Sequence, residues 1–383
     1  MAGRAAPEVF MNPLYIGLMS GTSMDGIDAG LFEIGHRACV TKATHTLAYP
    51  SALRAELQDA ARDPTHCVVD AVGRLDNWVG ECFMKAAEGL IANSGIDRGL
   101  VRAIGSHGQT IRHQPRSERP FTLQIGDPNI IAAGTRVTTV SDFRRRDIAL
   151  GGEGAPLATA FHQWFLSDPK EHRVVLNLGG IANVTVLPAA AAQVFGFDTG
   201  PANTLLDAWI LACQDRRYDR NGEWGDSGRV SGELLEALLG DPYFRSPPPK
   251  STGFEYFNLS WLRRHLSEVC KAESMWNEDV QATLTALTAR SVADAVLQYA
   301  PATRRLLACG GGVRNNGLMR RLKEQLPGVV IESTGGYGID PGWVEAATFA
   351  WLAKRCLDRE PGNLPGVTGA SRETILGGVY YAS

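Results

Sequence analysis

The sequence predicts an α/β protein of two lobes, each a layered sheet with helices, and three observations predict it. Short β-branched or aromatic runs alternate with helical periodicity over most of the 383 residues, the pattern of sheets flanked by helices. Two segments, YIGLMSGTSMDGIDAGLFEI (15–34) and VVLNLGGIANVTVLP (174–188), share one layout of apolar run, polar glycine-rich turn and apolar run. They head the two halves of the chain, which points to a duplicated domain rather than a short-period solenoid. The length also leaves room for two cores. Two lobes leave a cleft, the usual place for a ligand.

The elements follow in order. Residues 1–12 lack an apolar stretch of useful length, so they read as a loose, disordered tail and not as a signal peptide. The 15–34 hairpin comes next. Thr65 can cap a helix whose stripe runs Val68, Val69, Val72, Leu75, Val79, Cys82, Phe83 and Leu90, ending before Gly95. Strand-like runs follow at 101–105, 121–125 and 137–140. The polar, glycine-rich SDFRRRDIALGGEGAPL (141–157) marks a domain boundary or a loop crossing the cleft. The expected division is an N-terminal lobe of 13–140, completed by 366–383, and a C-terminal lobe of 141–365. The second hairpin at 174–188 leads to a strand ending in GFDTGPANTLLDAW, a Pro- and Gly-rich insertion (219–258) and a helix over 278–300. RRLLACGGGVRNNGLMRRLKEQL then reads as strand, glycine turn, helix, and IDPGWVEAATFAWLAKR as a last helix.

Composition narrows the function classes. A hydrophobic fraction of 44% with 21% charged residues is ordinary for a soluble globular protein. The net charge of −3 speaks against nucleic acid or an anionic membrane as main partner. Seven cysteines occur without a CxxC pair, so neither a disulfide framework nor a structural zinc site is supported, and a cytoplasmic setting is expected. The uncharged stretch 174–197 approaches membrane-spanning length, but Asn177, Gly179, Gly180, Asn183, Pro188 and Gln193 would sit badly in lipid.

Four glycine-rich turns follow strand-like runs: Gly21–Gly26, Gly151–Gly154, Gly179–Gly180 and Gly310–Gly312. Such turns let backbone N–H groups approach a phosphate closely, and hydroxyls add donors. Any one of them alone reads first as a simple tight turn; two equivalent hairpins plus a strand–GGG–helix unit point jointly to nucleotide. GTSMDGID is not a Walker A loop, because Ile27 and Asp28 stand where Lys and Ser/Thr belong. No GxGxxG opens a helix after a strand, so a Rossmann dehydrogenase is unsupported.

The arrangement resembles the superfamily of sugar and acetate kinases, heat-shock chaperone ATPases and actin. GLMSGTSMDGID, GSHGQTIRH, QIGD, ALGGEGAPL, NLGGIAN, FDTGPAN, PPPKSTG, CGGGVRNN, DPGWVEAATFAWLA and LPGVTGA narrow the likeness to the anhydro-N-acetylmuramic acid kinase family, from about residue 15 to the end. The resemblance implies an actin-like ATPase fold of two duplicated ribonuclease-H-like lobes with an interdomain cleft. It implies ATP bound with Mg²⁺, phosphates gripped by Gly21, Thr22, Ser23, Met24, Asp25, Gly26, Ile27 and Asp28 on one side and Gly179, Gly180 and Asn183 on the other. Gly310, Gly311, Gly312 and Asn315 would hold the nucleoside. The implied partners are ATP and a small amino sugar, with no nucleic acid and no membrane, and a homodimer is left open. One departure is Ala202 in place of a glycine, tolerable unless that position needs positive φ.

The implied reaction opens a 1,6-anhydro bridge by hydrolysis and phosphorylates O6, giving N-acetylmuramic acid 6-phosphate. Ordinary glycosidases use two carboxylates, but here the γ-phosphoryl group captures the leaving oxygen, so one base suffices. Asp198, at a strand end before a turn and helix, is expected to project into the cleft. The residues alone leave it as base, helix cap or indirect Mg²⁺ ligand; the resemblance assigns the base. Asp25 and Asp28 either coordinate metal indirectly or fix the hairpin turn. His107 and Gln109 in GSHGQT suit sugar hydroxyl or acetamide recognition, and Asp127 a sugar hydroxyl. Of the run Arg144–Arg146, usually a solvated face, one arginine can meet the substrate's lactyl carboxylate or phosphoryl charge, with Arg144 the candidate. Glu345 reads as a sugar ligand or as an acid in a helix's first turn. The rival readings are a kinase of a free amino sugar and a non-catalytic ATPase switch of the chaperone or actin kind.

Overall fold

The computed structural model describes residues 12–21, 23–63, 68–189, 193–269 and 275–382. The chain divides into two compact units, one from the described residues of 1–157 and 345–383, the other from 158–344. The sequence expectation divides the chain at 140/141 with a return at 366; in the structure the arginine segment and most of the last long helix pack with the first unit.

The first unit is built on a six-stranded sheet. Strands β1 (Leu14–Met19), β2 (Gly26–Ile34) and β3 (Cys39–Ala48) form an antiparallel meander, and β4 (Val101–Ser106) pairs parallel with β1. A two-stranded side sheet joins β5 (Gln109–Gln114) to β6 (Phe121–Ile125). Strand β7 (Thr139–Ser141) extends the main sheet parallel to β4. The second unit repeats the plan: β8 (Arg173–Leu178), β9 (Ile181–Leu187) and β10 (Phe195–Pro201) are antiparallel neighbours. There β11 (Arg305–Cys309) and β12 (Val330–Ser333) add on parallel to β8. In both sheets the order is third, second, first, fourth, fifth strand, the ribonuclease-H-like plan expected of a duplicated domain. The first sheet carries one addition, β13 (Gly378–Tyr380), antiparallel on β7.

Each sheet is covered by one long helix. Val69–Ser94 buries Leu75, Val79, Phe83, Ala87 and Leu90 on the first sheet and stops at Gly95, whose φ of 68° favours a residue without a side chain. The expected cap Thr65 lies outside the described residues. Asn277–Tyr299 is buried nearly all round, including Gln281, Thr283, Thr285 and Thr288, so its sequence shows little amphipathic contrast. Among the described residues no helix is long and apolar enough to cross a membrane.

A third contact positions the site. Gly17 on β1 and Gly105 on β4 are register partners, and a Cβ on either would overlap a backbone carbonyl, of Ala346 and Phe349 respectively. The two glycines form a groove for the helix Val344–Leu357, which meets it with Ala346, Ala350 and Ala353. Glycine inside a strand here marks close backbone approach.

Candidate active site

In the first unit the β1–β2 turn is braced by side chains from elsewhere. Ser20, which sequence reasoning passed over, places its Oγ 2.7 Å from both Gly26 C=O and Gln109 Oε1, and its single O–H donates to one of them. Gln109 Nε2 donates to Gly21 C=O at 3.2 Å and to Thr110 C=O, while Tyr49 O–H reaches Gln109 Oε1 at 3.5 Å. Gln109 has no solvent exposure, and both ends of its amide are engaged by these groups. It braces the turn. Met24 adopts φ 53° and is buried. Asp25 pairs with Arg54, and Asp28 accepts from Thr46 Oγ1 at 2.9 Å. Thr22 lies outside the described residues.

Beside this turn His107, Arg144 and Glu345 come together. Arg144 Nε donates to His107 Nε2 at 3.0 Å, and its Nη1 donates to Gly154 C=O at 2.7 Å. An acceptor at Nε2 puts the imidazole proton on Nδ1. Burial, reinforced by the Arg144 charge, holds the His107 pKa well below its ordinary value, so the ring is neutral. His107 also packs on Phe349, ring centroids 4.6 Å apart. Desolvation lowers the Arg144 pKa to about 10 against the opposing pull of Glu345 and Asp147, which leaves it charged at neutral pH. The Glu345 side chain keeps solvent contact; its carboxyl is nevertheless raised by desolvation, with Arg144 opposing and Asp28 adding to the rise. Arg145 instead faces Asp142 at 3.6 Å, and both Arg145 and Arg146 are exposed. Only the first arginine of the run turns inward.

Asp127 takes a different job. Its Oδ1 accepts from Asn129 N–H and Nδ2, both at 2.8 Å, capping the helix Pro128–Thr135. That leaves the second oxygen for a ligand.

In the second unit the β8–β9 turn is held by backbone. Gly180 C=O accepts from Ala202 N–H at 2.9 Å and Thr204 N–H at 3.0 Å, and Gly179 C=O accepts from Asn203 N–H at 3.1 Å. Ala202 has φ −127°, so the residue standing for glycine needs no left-handed backbone. Gly310 has φ 82° and lies so close to the turn that a Cβ would stand 2.5 Å from Asn177 Oδ1 and 2.7 Å from the Leu178 backbone. Gly311–Arg314 forms a short 3₁₀ turn. Asn315 is buried and caps the following helix, accepting from Leu318 N–H at 3.0 Å.

The register sets Asp198, Asn183 and Asn177 side by side across β10, β9 and β8, and directly paired residues share a face. Asp198 is half-buried. Its Oδ2 accepts from Thr252 N–H at 2.9 Å, its own N–H donates to Lys250 C=O, and its C=O accepts from Tyr243 O–H at 2.8 Å. Among the described residues Oδ1 has no partner. The segment 247–253 thus wraps the carboxylate and desolvates it, raising its pKa to about 6; Thr252 N–H and then Lys250 pull it down, and Glu255 pushes it up. A carboxylate so placed is ionised at neutral pH yet more basic than an exposed one. No cluster of three or more potential metal ligands occurs among the described residues.

Comparison with known proteins adds kinship to this geometry. The family model for anhydro-N-acetylmuramic acid kinase matches residues 13–382. A relative of that name from Xanthomonas campestris pv. campestris strain 8004 is 50% identical over 381 residues, covering 99% of this chain and all of its own. Another of the same name from Coxiella burnetii strain Dugway 5J108-111 is 49% identical over 368 residues, covering 96% and 97%. Among solved structures, an activator of 2-hydroxyisocaproyl-CoA dehydratase from Clostridium difficile with bound ADPNP aligns at TM-score 0.47 and 12% identity, over 89% of this chain and 94% of that one.

Proposed function

This chain belongs to the anhydro-N-acetylmuramic acid kinase family, and from that membership and the Asp198 geometry we propose how it works on its substrate. It is a kinase of cell-wall recycling that uses ATP on 1,6-anhydro-N-acetylmuramic acid. Asp198 Oδ1 takes a proton from water, the water oxygen bonds to the anomeric carbon, and the C1–O6 bond breaks. O6 then bonds to the γ-phosphorus, whose bond to the bridging oxygen breaks to release ADP. The products are N-acetylmuramic acid 6-phosphate, ADP and a proton. Thr252 N–H fixes the base by its other oxygen, so the lone pair that works is already aimed.

The turn residues Gly21, Ser23, Met24, Asp25, Gly26, Ile27 and Asp28 hold the phosphates from the first unit, and Gly179, Gly180 and Asn183 from the second. Gly310–Gly312 face the nucleoside with backbone, Asn315 securing them through its cap. His107, Arg144, Glu345 and the second oxygen of Asp127 receive the sugar, Arg144 its carboxylate. Gln109 acts by bracing the first turn. The residues fit Mg²⁺ only as an ion carried by the phosphates, because Asp25 and Asp28 already serve Arg54 and Thr46 and would reach the metal through water. Mg²⁺ would neutralise charge developing on the phosphates. The enzyme works in the cytoplasm, and a homodimer is compatible with these assignments.

The observation that carries the reading is the single, desolvated, half-fixed carboxylate of Asp198. Incubation with ATP, Mg²⁺ and the anhydro-sugar in ¹⁸O-water, read by mass spectrometry, tests it. Product bearing a phosphate and one heavy oxygen at the anomeric position is expected. ATP consumption with free N-acetylmuramic acid but not with the anhydro-sugar would overturn it.

A further inference from the structure

One buried carboxylate of the first unit takes no part in that scheme. Asp147 has no solvent exposure. Its Oδ1 accepts from Asn363 Nδ2 and Thr368 Oγ1, both at 2.8 Å, and its Oδ2 accepts from Gly154 N–H at 2.8 Å. Every donor is neutral. A carboxylate is an unfavourable group to bury without a task, and shape alone would be met by an apolar side chain. The bonds gather segments far apart in sequence: the arginine run, the GGEG loop and the C-terminal LPGVTGA motif, which the reaction scheme leaves without a task.

Gly154 shows where the bonds lead. Its N–H goes to Asp147, while its C=O accepts from Arg144 Nη1 at 2.7 Å. It adopts φ 66°, and a Cβ there would stand 3.1 Å from Arg144 C=O. At Gly152 a Cβ would overlap Asp147 Oδ2, so the loop is wrapped around the carboxylate. Arg144 therefore has two of its N–H groups committed, to Gly154 and to His107. Of the five a guanidinium carries, three have no protein partner among the described residues.

We propose that Asp147 is a positioning residue for Arg144: it anchors Gly154, and through the Gly154 carbonyl it sets the plane in which the guanidinium presents its remaining N–H groups to an oxyanion of the bound substrates. The oxyanion is the sugar's carboxylate or the γ-phosphoryl group. This rests on Arg144 being a ligand of the substrates.

The test uses full-length Asp147→Asn, Thr368→Val, Arg144→Ala and the Asp147→Asn/Arg144→Ala double variant, with sugar and ATP varied separately and Tm measured on each. Asp147→Asn, whose amide cannot accept at every position, is expected to raise KM for the sugar about tenfold, with KM for ATP within about twofold. A rise in KM for ATP or a fall in kcat instead assigns the γ-phosphoryl group and supports the same role. Thr368→Val removes one of the bonds and should act in the same direction by roughly threefold. On the Arg144→Ala background Asp147→Asn should add less than about twofold, because the residue it positions is gone. Equal factors on both backgrounds, or a lowered Tm with unchanged kinetic constants, would overturn the proposal. Should Asp147→Asn not fold, Thr368→Val takes its place in the cycle. Wild-type constants in Arg144→Ala would overturn the underlying reading; wild-type constants in Asp147→Asn or Thr368→Val with Arg144→Ala impaired would overturn this proposal alone.

Discussion

The turns that head the two sheets share a place in the topology and differ in how they are held. In the first unit, Ser20 and Gln109 grip the turn by side-chain bonds to Gly21 and Gly26. In the second, the first residues of the helix Asn203–Gln214 donate backbone N–H groups to Gly179 and Gly180, and Gly310 packs on the adjoining strand. The third strands differ as well. Past its buried first residue β3 alternates exposed and part-buried residues in the manner of a solvated edge, whereas β10 is covered at Asp198 by the segment 247–253, which desolvates that carboxylate. The two sheets share a plan, but of the two third strands only β10 carries a covered carboxylate.

The largest test of that asymmetry is Asp198→Asn. Turnover should fall roughly 10²–10⁴-fold, the span of a lost general base, with the fold intact. Stability should move the other way. The folded pKa of about 6 lies above the ordinary 3.8, so between those pH values the folded state binds more protons and unfolding becomes easier as pH rises. Above pH 6 the wild type carries the whole of that penalty, at most about 2–3 kcal/mol. Asp198→Asn should thus raise Tm at pH 7–8 and lose the advantage below about pH 4. Equal Tm values across that range would mean the carboxylate is not strained by burial.

The next two substitutions compare backbone with side-chain bracing. Gly310→Ala forces a methyl against Asn177 and Leu178 at a positive φ, and should cost about 2–4 kcal/mol in urea unfolding from strain and overpacking together. Gln109→Ala removes a buried, hydrogen-bonded amide and should cost about 2 kcal/mol, while raising KM for ATP as the first turn loosens. If Gln109→Ala weakens only the sugar, the amide serves the ligand and the bracing argument fails.

Much of the scaffold was legible because its signals are local. Both hairpins announce themselves as apolar runs around glycine, and strands 101–105 and 121–125 fall where β4 and β6 lie. Other features depend on partners distant in sequence. Gly17 and Gly105 form a helix groove only because β1 pairs β4 in one register. Gln109 reads as a ligand alone because nothing near it in sequence shows that Ser20 and Gly21 will meet its amide. Two capping roles were readable. Asp127-Pro128 is an N-cap followed by proline in the first turn, and Asn315 precedes a helical run. Asp198 stood out after an apolar run, where a strand end was expected, but β10 continues to Pro201 and places it mid-strand; its pKa is set first by burial and then by Thr252, Glu255 and Lys250, which the chain brings back only through the insertion.

The finest test asks whether Asp198 is tuned by charge as well as by burial. Its ionised form is the base, so kcat/KM should fall about tenfold per unit of pH below about 6 in the wild type. Lys250 lowers the Asp198 pKa and Glu255 raises it, both less than burial does. Lys250→Gln should therefore move the acidic limb up, and Glu255→Gln should move it down, each by roughly 0.3–0.5 of a pH unit. The opposite signs matter more than the sizes. Loosening the segment 247–253 would admit water and lower the pKa in both variants, since desolvation is the leading cause of the rise. Limbs that part in opposite directions therefore require a direct field at Asp198, and high salt should narrow the gap between them.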